Sequence, residues 1–145
     1  SWLFERFVTV GYYALVDFHK IKPTGDDFSH SKEWFNVYEL PEIMMDHGEL
    51  IAAAIADLRL QLNYRPIGHN LLPNAFTMPE LQKLFEAILN RKLDRRNFQR
   101  KILAMDILKR VTIKNGGNNH KAAYYYKFDA RKYQKALSAG LGFQL

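Results

Sequence analysis

The sequence contains no cysteine among its 145 residues, which excludes disulfide bonds and metal sites built on thiolates. No apolar run approaches the roughly 20 residues that a membrane-spanning helix needs. The chain opens with Ser1-Trp2-Leu3 and has no basic segment ahead of a long apolar stretch, so no secretory signal is expected. These absences favour a cytoplasmic protein that has no membrane partner.

Residues with catalytic or metal-binding patterns are also scarce. The five histidines are scattered without the spacing of a metal site. The pair Gly116-Gly117 is typical of a turn, because the Lys-Ser/Thr that completes a phosphate-binding loop does not follow it. No Ser/His/Asp arrangement is recognisable either. We therefore assign no catalytic residue, no metal site and no cofactor from the sequence.

The net charge of +6 conceals a strong asymmetry. Residues 1–76 hold 6 Lys/Arg against 10 Asp/Glu, a balance of −4, whereas residues 77–145 hold 15 against 5, a balance of +10. Two units with different partners would explain this division. The expected partner of the basic half is a polyanion, although a basic surface can also serve solubility alone.

The acidic half has the pattern of an α/β domain. Residues 7–18 are rich in β-branched and aromatic side chains and predict a buried strand, and residues 34–40 predict a second strand. Asp46 and Glu49 indicate the start of a helix over about 48–63, which has one broad apolar face. Two strands and one helix cannot enclose a core, so we expect further sheet to precede the chain.

The basic half predicts two short helices joined by a tight turn. Thr77, with Glu80 three residues later, is typical of a capped helix start, and helical spacing continues to Leu89. Asp94 is a second cap candidate, for a helix that ends near Ala104. This pair is the central element of a helix-turn-helix.

The second helix is expected to present its polar face to DNA. Phe98, Ile102 and Met105 share one side, which predicts burial. Arg96, Gln99 and Arg100 fall opposite, flanked by Asn97. Such side chains match guanine O6 and N7 or adenine N6 and N7, so residues 95–100 are the predicted segment for base recognition. Leu103, near the outer face, could contact a thymine methyl or pack on the wing. For this helix alone, an ordinary solvated face would be the favoured interpretation.

A predicted hairpin after this helix favours the DNA-binding interpretation. Residues 108–114 and 122–128 have strand character and flank a turn cluster at 115–119, which is where a winged helix carries its wing. Tyr124, Tyr125 and Tyr126 could form a stacking platform for single strands, but burial of most of them is favoured. A short helix is expected near 130–139. The candidate DNA-contacting residues are Thr77, Arg95, Arg96, Asn97, Gln99, Arg100, Lys101, Lys114, Asn118, Asn119, His120 and Lys121.

Residues 64–102 resemble the C-terminal winged-helix region of Nudix-related transcriptional regulators, and the upstream part resembles the closing half of their Nudix domain. The resemblance covers nearly the whole chain. The matching downstream pieces are Pro66-Ile67, Asn70-Leu71-Leu72-Pro73, Phe76-Thr77, Glu80-Leu81-Gln82 and Leu93-Asp94-Arg95-Arg96-Asn97-Phe98. The matching upstream pieces are Arg6-Phe7-Val8-Thr9-Val10 through Leu15, Trp34 with Glu39-Leu40-Pro41, and Asp46-His47.

This resemblance implies a partial Nudix α/β/α sandwich over residues 1–65 and an α+β winged helix-turn-helix domain over residues 66–145. It also implies a homodimeric bacterial regulator that binds double-stranded operator DNA and a small effector, either an ADP-ribose-type nucleotide or a sugar. The match supports Arg95, Arg96, Asn97 and Arg100 on the DNA-facing helix, and it supplies no effector-pocket residue.

The sequence departs from the family at the Nudix catalytic box, which it lacks. The segment Asp46-His47-Gly48-Glu49 is not that motif, so metal binding and pyrophosphate hydrolysis are not expected of this chain. The box is expected to precede Ser1. The alternative functions are a Nudix hydrolase acting on nucleoside diphosphate derivatives, with the winged helix as an accessory module, and an RNA or single-strand binder that uses the tyrosines.

Overall fold

The computed structural model describes residues 8, 10–17, 20–22, 33–64, 71–111 and 124–139. Four helices and three short strands lie within these ranges. In chain order they are α1 (His47–Tyr64), β1 (Phe76–Thr77), α2 (Met78–Leu89), α3 (Arg95–Ala104), β2 (Leu108–Val111), β3 (Tyr125–Phe128) and α4 (Ala130–Ala139).

The three strands form an antiparallel sheet in the order β1-β3-β2. Phe76 of β1 pairs with Tyr126 of β3, and Leu108 of β2 pairs with Phe128. A helix, a strand, two helices and a hairpin in this order are the arrangement of a winged helix, which is an α+β fold. The predicted hairpin is confirmed, although the described strands are shorter than the sequence suggested.

The capping residues predicted from the sequence set the starts of α2 and α3. The Thr77 hydroxyl accepts from the Glu80 N–H, and the Glu80 carboxylate accepts from the Thr77 N–H at 2.6 Å, which completes a capping box. Asp94 caps α3 by accepting from the Asn97 N–H at 2.8 Å. Asn90 in the left-handed conformation ends α2, and this conformation is one that asparagine tolerates. The predicted helix at 130–139 is confirmed as α4.

The hydrophobic core joins the sheet to α2, α3 and the end of α1. Phe85 of α2 and Phe98 of α3 meet edge to face, with ring centroids 5.4 Å apart, a geometry that aromatic pairs favour. On the side of the sheet, the rings of Phe76 and Phe128 pack together with their centroids 5.1 Å apart. The buried members of the cluster are Leu62, Phe76, Met78, Leu81, Phe85, Phe98, Ile102 and Tyr126.

The first half differs from its predicted fold. The helix expected at 48–63 is confirmed as α1, but the described residues of 7–18 and those of 34–40 form no strand, and a turn lies at Val37-Tyr38. A strand needs a second strand that pairs with its backbone, and no such pairing involves the described residues of these segments. Val8 and Tyr12 are 89% and 93% exposed. The partial Nudix sandwich is therefore not present in the described part of the chain.

Instead, residues 11–15 lie along α1. With Val37, Ile43 and the apolar side of α1, they line an open groove of about 790 Å³. The described residues 8 and 10–16 are exposed, so the composition of this segment does not reflect burial in a sheet. None of the described helices is long and apolar enough to cross a membrane.

Polar contacts attach α1 and the segment before it to the end of α2. The Tyr38 hydroxyl lies 2.9 Å from the Ala87 carbonyl oxygen and 2.8 Å from that of Ile88. Arg59 Nε of α1 donates to the same Ile88 oxygen at 3.1 Å. The last carbonyls of a helix have no partner within it, so these donors satisfy acceptors that α2 leaves open.

Candidate nucleic-acid interface

The exposed face of α3 follows from the burial of the opposite one. Phe98 and Ile102 are 2% and 1% exposed and fix the rotation of the helix about its axis. The Asp94 cap fixes its first turn, where the Phe98 N–H also donates to the Asp94 carbonyl at 2.9 Å. As a result, Arg96 and Arg100 project away from the core into solvent.

The structure brings three of the predicted contact residues together. Arg96, Asn97 and Arg100 line one shallow depression of about 290 Å³ with Asp94. Arg100 Nη2 donates to Asn97 Oδ1 at 2.8 Å, so the two side chains hold one another in place. Because both are exposed, this contact restricts their rotamers without removing them from water.

The other candidates are distributed differently. Arg95 is exposed beside the cluster, whereas Gln99 and Lys101 are half-buried at the flanks of the helix. Thr77 is half-buried at the start of α2, with its hydroxyl engaged by Glu80. Five further candidates at the wing tip lie outside the described residues: Lys114, Asn118, Asn119, His120 and Lys121.

The chemistry of the α3 cluster suits the edges of base pairs. Each guanidinium offers paired N–H donors in a plane, which matches the two acceptors of guanine, and the Asn97 amide can both donate and accept, as adenine requires. The carboxylate of Asp94 lines the depression and accepts from the Asn97 N–H as the cap of α3. The cluster is therefore a donor-rich surface on the first turns of a helix. Within the described residues, no group of acidic or histidine side chains is arranged to hold a metal ion.

The turn between α2 and α3 is held by a side-chain network that sequence reasoning missed. Glu86 Oε1 accepts from the Leu93 N–H at 2.9 Å and from Gln82 Nε2 at 3.0 Å. Gln82 Nε2 also donates to the Leu93 carbonyl at 2.9 Å. The Leu93 N–H is the main cause that holds the pKa of Glu86 below its usual range, followed by the Gln82 amide. The signal in the sequence was a Gln and a Glu four positions apart on α2.

The stem of the wing, which is β2 and β3, carries three cations that were not among the candidates. Lys109 stands directly opposite Lys127, and both are exposed. The guanidinium carbon of Arg110 lies 3.3 Å from the centre of the Tyr124 ring. Among the three tyrosines, Tyr126 is buried in the core, Tyr125 is half-buried and Tyr124 is 59% exposed.

Comparison with known proteins gives a consistent result. Residues 68–128 match the family described as the NrtR DNA-binding winged helix domain. The chain is 28% identical over 128 residues to the "ADPR responsive transcriptional repressor NtrR" of Acinetobacter baylyi, a match that covers 87% of this chain and 50% of that protein. The chain thus spans about half the length of this relative.

Two solved structures of Shewanella oneidensis NrtR share the fold. The one complexed with a 27mer DNA gives a TM-score of 0.52 at 25% identity, covering 68% of this chain and 44% of that one. A second structure of the same protein gives a TM-score of 0.51 at 26% identity, covering 68% of this chain and 43% of that one. The chain is therefore similar in sequence and fold to the Nudix-related NrtR regulators, and its residues 68–128 match the NrtR DNA-binding winged helix domain.

Proposed function

We propose that this protein is a sequence-specific DNA-binding transcriptional regulator, in which α3 enters the major groove and recognises base edges through Arg96, Asn97 and Arg100. The observation that carries the proposal is the exposed cluster of these side chains on the first turns of the second helix of a winged helix, in which Arg100 donates to Asn97. Those turns are the part of such a helix that reaches base edges. The same fold in Shewanella oneidensis NrtR is described in complex with DNA.

Other candidate residues extend this surface in the proposal. Arg95, Gln99 and Lys101 flank the cluster on α3, Thr77 contacts phosphate from the start of α2, and the wing tip contributes Lys114, Asn118, Asn119, His120 and Lys121. The unit formed by residues 66–145 binds DNA. Residues 1–65 are the closing part of a Nudix-like effector domain, and α1 joins the two.

For the small-molecule effector, we propose a nucleotide of the ADP-ribose type in preference to a sugar. The support is the description of the Acinetobacter relative as responsive to ADPR and as a repressor. We further propose that the protein acts in the cytoplasm as a homodimer, which binds operator half-sites about one helical turn apart.

The test is a salt-titrated binding assay with the full-length protein, duplex DNA from upstream of its own operon, and a random duplex. Selective binding that ADP-ribose releases is the expected result. The double variant Arg96→Ala/Arg100→Ala should lose selectivity, because each bidentate Arg–guanine contact contributes about 1–3 kcal/mol. Its circular dichroism should be unchanged, since both side chains are exposed.

A matched control removes the same charge elsewhere. Arg131→Ala/Lys135→Ala deletes two exposed cations from α4. This control should retain selectivity for the operator duplex. If the α3 variant binds the operator as selectively as the control does, α3 is not the recognition helix. If the unaltered protein binds both duplexes equally at every salt concentration, the regulator proposal itself fails.

A further inference from the structure

The stack of Arg110 on Tyr124 has no part in the core of the fold. Both residues are exposed, and the guanidinium carbon lies 3.3 Å from the ring centre, which is close contact between two flat groups. No carboxylate of the described residues forms an ion pair with Arg110. The aromatic face is therefore what orders this arginine, through a cation–π contact.

The register of the sheet places this stack on the same face as the core. Arg110 stands directly opposite Tyr126, which is 8% exposed and belongs to the core cluster that includes Ile102 of α3. Tyr124 lies two residues before Tyr126, so it shares that face. The stack thus continues the core face of the sheet, the one packed against α3, beyond the last buried residue toward the wing tip.

An arginine held in this way is prepared to bind an anion. Stacking covers the face of the guanidinium but leaves its N–H edge open, and that edge matches the two oxygens of a phosphate. The ring also restricts the side chain before binding, so less rotamer entropy is lost on contact. Lys109 and Lys127 lie opposite one another on the other face of the stem and add positive charge to it, and Asp129 offsets part of the charge of Lys109.

We infer that Arg110 is a further DNA contact, which binds a backbone phosphate next to the groove that α3 occupies, and that Tyr124 is the positioning residue that holds it. The inference rests on the proposed function and extends it to the stem of the wing. Phosphate contacts set the register and orientation of a protein on the duplex without specifying sequence. Arg110 therefore contributes affinity to every sequence alike.

The test compares five single variants of the full-length protein, one of them a control, with the unaltered protein, on the operator duplex and on a random duplex across a range of salt. Arg110→Ala should weaken binding to both duplexes roughly tenfold, the effect of losing a hydrogen bond to a charged group. The slope of log K against log salt should also fall by about 0.9, as expected for one lost phosphate contact.

The other variants separate stacking from charge. Tyr124→Ala should weaken binding about two- to fivefold, the value of an exposed cation–π contact, with the salt slope unchanged because the charge stays. Tyr124→Phe should bind normally, since it keeps the ring. Arg110→Lys should behave like Tyr124→Ala, because it keeps the charge but loses the planar stack. Lys135→Ala on α4 is the control for loss of a cation, and thermal melting of each variant checks the fold.

The outcomes distinguish a failure of this inference from a failure of the proposed function. If Arg110→Ala and Tyr124→Ala bind like the unaltered protein while the α3 double variant loses selectivity, this inference is wrong and the proposed function stands. If Arg110→Ala changes sequence preference but not overall affinity, Arg110 contacts a base and the phosphate assignment is wrong. If the unaltered protein shows no affinity for duplex DNA, both are overturned.

Discussion

Replacing Phe98 with alanine should destabilise the protein more than any other single truncation on α3. The side chain is 2% exposed, and its ring meets Phe85 at 5.4 Å and 65°, so truncation leaves a cavity where α3 rests on α2. Loss of a buried phenylalanine costs about 3–5 kcal/mol. That is a large part of the roughly 5–15 kcal/mol that stabilises a typical domain.

Urea unfolding followed by circular dichroism measures this loss. Because the free energy of unfolding falls by about 1–3 kcal/mol for each molar of urea, the midpoint of unfolding should fall by roughly 2 M. Leu103→Ala on the same helix is the matched control, because Leu103 is 43% exposed and its truncation should change stability by less than about 0.5 kcal/mol. Equal shifts for the two variants would refute the packing of α3 described here, and with it the assignment of its exposed face.

Two further predictions concern the helix-turn-helix scaffold. Thr77→Ala removes the cap hydroxyl and should lower the free energy of unfolding in urea by about 1 kcal/mol. Thr77→Ser keeps the capping box and should unfold at the same urea concentration as the unaltered protein. Equal unfolding midpoints for the two variants would mean that the box contributes nothing to stability. Glu86→Gln should lower the melting temperature at pH 7 more than at acid pH. The pKa of Glu86 is below its ordinary value of 4.5, so its carboxylate stabilises the fold fully above that pH and loses this effect as the pH falls through the lowered pKa. A melting difference that is constant across this range would contradict the role of the ionised carboxylate.

Local chemistry made the second half of the chain predictable. Helix starts were predicted at Thr77, which is paired with Glu80, and at Asp94, which is paired with Asn97. A short side chain that bears an oxygen is typical of a helix start, because it accepts from N–H groups that have no partner within the helix. The hairpin was visible for a similar reason, since its strands flank a cluster of turn residues. The residues that interact in a cap or a turn are only a few positions apart, so these features can be predicted from the sequence alone.

Features that depend on distant partners were not visible. β1 is only two residues long and exists because Phe76 and Thr77 pair with β3, about fifty positions away. The strands expected at 7–18 and 34–40 had suitable composition, but pairing decides whether such a segment is a strand. The stack of Arg110 on Tyr124 depends on the register of β2 against β3, which composition does not specify.

The position of Leu62 determines where this protein can be divided. The residue is 0% exposed and belongs to the same cluster as Phe85, yet it is carried by α1. A DNA-binding fragment that started at residue 66 would lose this side chain, whose burial is worth about 1.5–3 kcal/mol, and would leave an apolar hole open to water. It would also lose Arg59 from the end of α2. A fragment that begins at residue 66 should therefore be less stable than one that begins ahead of His47, because α1 packs on the winged helix and contributes Leu62 to its core.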